Sequence, residues 1–135
     1  MVAASKAFNT AGLRCAQIVA ADGETMRRIR DVPDPLNDSW SPLGEVAAIA
    51  AYEHGDEWLA ALVRRLAGQR DLLAELLATH LPEVRMRPLE ATYLAWLDCT
   101  KLGQDDEPRR LFLERGRVAL EPGLRFGAAG AGHVR

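Results

Sequence analysis

At 135 residues the chain has the length of one ordinary domain, and its 48% apolar and 27% charged residues are those of a folded protein rather than a disordered one. Seventeen basic residues face nineteen acidic ones, a formal net charge of −2, which gives no footprint for nucleic acid or an anionic membrane surface. No run approaches the ~18 consecutive apolar residues of a spanning helix, and the start lacks the basic-then-apolar order of a secretory leader. Cys15 and Cys99 lie too far apart in sequence to suggest a disulfide framework, so the composition points to a soluble, cytoplasmic protein.

Residues 14–21, mostly apolar apart from Arg14 and Gln17, read as a short buried strand, entered after Gly12 and left through Asp22 and Gly23. A short amphipathic helix is expected over 24–30. Residues 31–39 then form a loop in which Pro33 and Pro35 deny regular hydrogen bonding. Pro42 after Ser41 marks a helix start, the alanine-rich stretch 43–53 continues it, and Gly55 ends it. Asp56 caps the longest element. There Leu59, Leu62, Val63, Leu66, Leu73, Leu76 and Leu77 recur at helical spacing and predict a helix over 57–79, stopped by Pro82. Gly68 inside it marks a bend or a close contact.

After Pro82 the texture changes. Residues 84–87 and 91–98 read as two short strands split at Pro88, and 103–108 as a loop feeding a helix over 108–115. Residues 118–120 suggest another short strand before a glycine-rich turn that enters a strand at His133. The composition breaks near Leu81, so the pattern suggests pieces of two domains. The apolar start at 2–4 and the strand that opens at 133 make both ends look cut.

Few residues offer chemistry by spacing alone. His54, His80 and His133 stand in no metal-ligand pattern. Cys15 and Cys99 lie in apolar runs that favour inert thiols. Gly127, Gly130 and Gly132 precede a strand start, whereas a phosphate-binding glycine loop follows a strand and opens a helix. Trp40, Trp58 and Trp96 do not interleave with a basic stripe. Lys6 is by default a surface lysine, although Ala3, Ala4, Ala7, Phe8, Ala11 and Leu13 give it a small apolar setting unusual for a solvated one. A desolvated lysine can become the neutral amine that carbonyl chemistry needs.

The run from Ser5 through Lys6, Phe8, Asn9 and Gly12 to Leu13 resembles the lysine segment of pyridoxal-phosphate enzymes of the class I/II aminotransferase superfamily. The nearest resemblance is to its cystathionine β-lyase branch, the MalY/PatB-type C–S lyases. Gly55 to Leu59 before a long helix, the run 90–98, and the stretch from Phe126 and Gly127 to Val134 and Arg135 resemble the same branch in the same order.

This resemblance implies an α/β fold, the C-terminal part of a fold type I pyridoxal-phosphate-dependent transferase. Residues 1–55 would end the large cofactor-binding domain, 56–81 would form a connecting helix, and 82–135 an incomplete α+β small domain. It implies that Lys6 binds pyridoxal 5'-phosphate covalently and then moves the substrate α-proton, that Arg14 contacts the cofactor phosphate, and that Arg135 grips the substrate α-carboxylate. Ala3 departs from the Ser or Thr that many relatives place near the phosphate. The implied activity is a β-lyase that releases thiol, pyruvate and ammonia from an S-substituted cysteine. The alternatives are an aminotransferase of the same superfamily or a truncated, inactive product that acts as an interaction module. Most of the large domain would precede Met1, so this chain alone is expected to be inactive. The implied partners are a small amino-acid substrate and, for a full-length relative, a second subunit of a homodimer.

Overall fold

The computed structural model describes residues 1–32, 41–103 and 108–135. They form two compact units, Met1–Arg64 and Arg65–Arg135. The expected loop over 31–39 lies outside the described residues from 33 onward, and most of the 103–108 loop lies outside them too.

The first unit opens with Val2, whose backbone exchanges two hydrogen bonds with Gln17, at 2.8 and 2.7 Å. Helix α1, Ala4–Ala7, is a single turn. The Phe8 amide donates back to the Ala4 carbonyl at 2.8 Å and the Thr10 amide to that of Ser5 at 3.0 Å, closing the turn. Asn9 then takes a positive φ of 55° and the chain enters a 3-10 turn, Ala11–Leu13. The expected strand over 14–21 is reduced to the Val2–Gln17 bridge. A strand exists only where a neighbour takes up its N–H and C=O groups. Arg14, at φ 47°, also breaks the extended run where the strand should begin.

Helix α2, Gly23–Arg30, follows the sequence pattern closely. Asp22 caps it, accepting from the Thr25 amide at 2.7 Å and the Thr25 hydroxyl at 2.9 Å. These bonds favour the ionised form and hold the Asp22 carboxyl below its ordinary range. Helix α3, Pro42–His54, starts with proline at its first position and ends at Gly55, whose amide reaches the Ala51 carbonyl at 2.9 Å.

One face of α3 is built for close approach. Gly44 and Ala48 are buried on it. A Cβ at residue 44 would strike the Leu13 carbonyl oxygen and lie 3.1 Å from the Cys15 Cβ, so the 3-10 turn rests directly on the helix backbone. Phe8 completes the contact, edge-on to Tyr52 with ring centroids 6.0 Å apart and stacked on Trp58 at 5.9 Å. Gly55 leaves room for the Phe8 ring. Elsewhere on α3, Leu43, Val46 and Ile49 are exposed.

Helix α4, Asp56–His80, is the longest element, and the division between the units falls inside it. Nothing lies within 4 Å of a Cβ built at Gly68, so close contact does not explain that glycine. In the second unit Leu77 is buried on α4 and Leu73 half-buried, four residues apart on one face.

The second unit closes its core with a small antiparallel sheet of order β1-β2-β3: Arg85–Met86, Leu97–Asp98 and His133–Val134. Arg85 pairs with Asp98 and Met86 with Leu97, while Leu97 pairs with Val134 and Asp98 with His133. Leu77, Val84, Leu97, Cys99 and Val134 form the buried centre, flanked by Leu73, Met86, Ala95, Leu102, Phe112 and Leu120. Phe112 comes from helix α5, Arg109–Gly116, close to the expected 108–115.

Two strand expectations shorten here. The 91–98 run is a strand only at its end, because Thr92 sits at φ 67° and residues 91–93 bend. Residues 118–120 form no strand, and the pairing falls just beyond them. Glu121 and Arg135 exchange backbone hydrogen bonds at 3.0 and 2.8 Å, and Pro122 bridges to Val134. Pro122 has no N–H to extend a ladder. The chain from 123 to 132 then turns through two 3-10 segments, Gly123–Phe126 and Ala128–Gly130, before β3. Gly123 and Gly130 meet backbone to backbone, where a Cβ on either would strike the other's carbonyl.

The same substitution is therefore expected to have opposite signs at two helical glycines. Gly68→Ala should stabilise by up to about 1 kcal/mol, since it gains helix propensity in open space. Gly44→Ala should destabilise by about 1–3 kcal/mol, since its methyl meets a fixed carbonyl. Urea denaturation of both variants measures the signs, and a shared sign would refute the contact assigned to Gly44.

Cys99 is buried in the core, and burial, with the neighbouring Asp98 charge, pushes its thiol up to about 11. The thiolate is the reactive form. At pH 8 a thiol reagent should therefore modify half-buried Cys15 well before Cys99, with Cys99 following only on denaturation. Equal rates in the native chain would contradict the buried placement.

Candidate functional site

Lys6 is the third residue of α1, and its position follows from what α1 buries. Ala4 is 1% exposed, and Phe8 is held between Tyr52 and Trp58. With those groups turned inward, Lys6 takes the open side and is exposed. The expected apolar surround of the amine is therefore not formed by these residues. Among them, Ala4 and Phe8 line the buried contact instead. Ala3, extended and half-buried, presents only a methyl.

Arg14 lies beyond the 3-10 turn, with φ 47° and ψ 72°. Its carbonyl accepts from the Ser41 amide at 3.1 Å, which ties the backbone to the start of α3 and leaves the side chain exposed. Lys6 and Arg14 thus belong to one unit, on segments fixed against α3. A hollow of about 500 Å³ in this unit is lined by Cys15, Ala16, Gln17, Glu45 and Ile49, and neither Lys6 nor Arg14 lines it.

Arg135 belongs to the second unit. Its Nη2 donates to Glu121 Oε2 at 2.6 Å, and its guanidinium carbon lies 4.5 Å from the centroid of the Phe126 ring. Arg125 Nη1 donates to the other Glu121 oxygen, Oε1. Phe126 stands edge-on to Trp96, ring centroids 5.5 Å apart. Trp96 stacks on His133, also at 5.5 Å. The His133 ring nitrogen Nδ1 lies 2.8 Å from the Ala131 carbonyl, and Nε2 lies 4.0 Å from Asp98 Oδ1. Asp98 accepts from the Thr100 hydroxyl at 2.6 Å and the Thr100 amide at 3.0 Å. These bonds hold its carboxyl below the ordinary range.

Glu121 was not visible as a partner of Arg135 from sequence. The two stand fourteen residues apart across a glycine-rich turn, and no helical or strand spacing links them. The available signal was the glycine-rich return itself, which brings the residues before Pro122 beside the strand at 133. His54 and His80 end α3 and α4 and are exposed.

In chemical kind, the residues present are suited to a phosphorylated aldehyde and an amino acid. Lys6 offers an accessible amine, Arg14 an exposed guanidinium, and Arg135 a guanidinium oriented by two neighbours.

The chain matches the profile of the aminotransferase class I and II family over residues 1–135. A candidate cystathionine β-lyase from Mycobacterium tuberculosis is 41% identical over 152 residues, which cover 100% of this chain and 37% of the relative. The cystathionine β-lyase PatB of Bacillus subtilis is 34% identical, over 98% of this chain and 35% of its own length. The PLP-bound C–S lyase from Staphylococcus hominis superposes with a TM-score of 0.82 at 30% identity, over 98% of this chain and 35% of that structure. The chain thus spans about a third of the length of the curated relatives it matches. Its mixed helices and small sheet are part of a fold type I transferase. By its match over all 135 residues, the chain belongs to the aminotransferase class I and II family.

Proposed function

We propose that this chain supplies the lysine and the carboxylate-binding arginine of a pyridoxal-phosphate-dependent C–S β-lyase. The observation that carries the reading is the placement of Lys6. Its amine is exposed on a turn whose other residues are locked against α3 by Ala4, Phe8 and the Gly44 contact. The similarity to cystathionine β-lyases along the whole chain supports the same reading. In it, residues 1–55 end the cofactor-binding domain, 56–81 form the connecting helix and 82–135 belong to the small domain.

Pyridoxal 5'-phosphate, when bound, supplies the electron sink that acidifies the substrate α-C–H bond. Lys6 Nζ is the group that would hold the cofactor by its aldehyde and would take the proton from the substrate α-carbon. Arg14 neutralises charge on the phosphate. Arg135 holds the α-carboxylate, for which a planar two-pronged donor is suited, and so fixes which α-substituent faces the base. The overall change consumes an S-substituted cysteine and water and yields thiol, pyruvate and ammonia.

The family's aminotransferase members favour a second reading, in which the substrate amino group would pass to a keto-acid acceptor instead of leaving as ammonia. Both readings place the protein in the cytoplasm, acting on a small amino acid, with the complete polypeptide a homodimer.

The test is addition of pyridoxal 5'-phosphate to the chain, borohydride reduction and peptide mapping. Lys6 is expected to carry the reduced cofactor, and Lys6→Ala to abolish that label. Labelling confined to Lys101 would overturn the assignment. In a polypeptide that also carries the remaining two thirds of its relatives, pyruvate release from cystathionine without a keto-acid acceptor supports the lyase. Strict dependence on an acceptor supports the aminotransferase.

A further inference from the structure

We propose that Glu121 and Phe126 are the positioning residues of Arg135, holding its guanidinium in one orientation so that a monocarboxylate docks on its unoccupied edge. The inference rests on the reading of Arg135 as a carboxylate receptor. It adds the two groups that give that receptor its geometry.

The hold starts in the backbone. Glu121 and Arg135 exchange two hydrogen bonds, so their Cα positions are fixed opposite one another beside the fully buried Val134. Their side chains meet in a 2.6 Å charge-assisted bond from Arg135 Nη2 to Glu121 Oε2. Glu121 cannot easily swing aside, because its second oxygen is taken by Arg125. The Phe126 ring covers one face of the Arg135 guanidinium, and Trp96 and His133 extend that aromatic row.

Two features separate a positioning role from simple neutralisation. Glu121 engages one guanidinium nitrogen of Arg135 through one oxygen, whereas an incoming carboxylate can use the remaining edge in a paired arrangement. The three side chains sum to +1, two arginines against one glutamate. The side chains of Glu121 and Arg135 are about 30% exposed, which leaves the site open to a small anion.

The experiment is arginine-selective modification of the full chain by phenylglyoxal, mapped by mass spectrometry, with sodium propionate as protectant. Propionate is expected to protect Arg135, while the exposed Arg110, paired with Glu114 outside this cluster, serves as the internal reference. Glu121→Ala should raise the half-protecting propionate concentration about tenfold, the loss of one hydrogen bond to a charged group. Glu121→Gln, which keeps an acceptor oxygen, should lose less. Phe126→Leu, which leaves the backbone pair intact, should cost about threefold. If Glu121 only competes with the ligand, its removal will leave protection unchanged or improve it, which overturns the proposal while leaving Arg135 as receptor. If propionate does not protect Arg135 in the unaltered chain, the receptor reading fails, and the positioning role fails with it.

Discussion

A methyl group at residue 44 would sit on the Leu13 carbonyl oxygen, and one at residue 123 would sit on the carbonyl of Gly130. Backbone resting on backbone, with no side chain between, is the constraint on which both units depend. In the first unit it lets the turn after α1 lie directly on α3, which in turn seats Phe8 between Tyr52 and Trp58. In the second it folds the ten residues from 123 to 132 tightly enough to bring Glu121 back beside Arg135. Such contacts are stiff because they have no rotamers through which to relax. The strands they support are only two residues long, too short to fix a geometry through their ladder alone.

The helices were legible because helical period is a local property. The leucine spacing gave 57–79 against an observed Asp56–His80, and Ser41, Pro42 and Gly55 marked the ends of α3 correctly. Strands were harder, since their existence depends on a neighbour that a short window does not contain. The 14–21 run has the composition of a strand but finds one bridging residue, and 118–120 lies just short of the segment that pairs. Left-handed residues at Arg14 and Thr92 are not glycines, so nothing in the sequence announced the breaks they make.

Lys6, Arg14 and Arg135 are candidates through resemblance, and spacing alone would have passed over the two arginines. The apolar residues around Lys6 in sequence do not surround its amine, which is exposed, as a surface lysine's is by default. Ala4 and Phe8 are indeed shielded, yet they are shielded against α3, on the far side of the turn from the amine. A single helical turn cannot bury both faces, and burial of one face is what exposes the other.

This difference separates the two halves of the chemistry. A lysine in solvent is a weak nucleophile, and its activation requires desolvation or a neighbouring charge. Among the described residues neither is placed at Lys6, which is exposed. An arginine requires no activation, because its charge is permanent and its donor geometry is planar and fixed; it requires only orientation. The second unit provides that from its own residues, with Glu121 on one nitrogen, the Phe126 ring beneath the guanidinium and Val134 anchoring the backbone pair. On the proposed reading, the group that would bind the carboxylate is oriented entirely by residues within 65–135, whereas Lys6 is held by its backbone contacts and left exposed. Variation at Glu121 or Phe126 should then act on how tightly a carboxylate is held, without altering how Lys6 is presented.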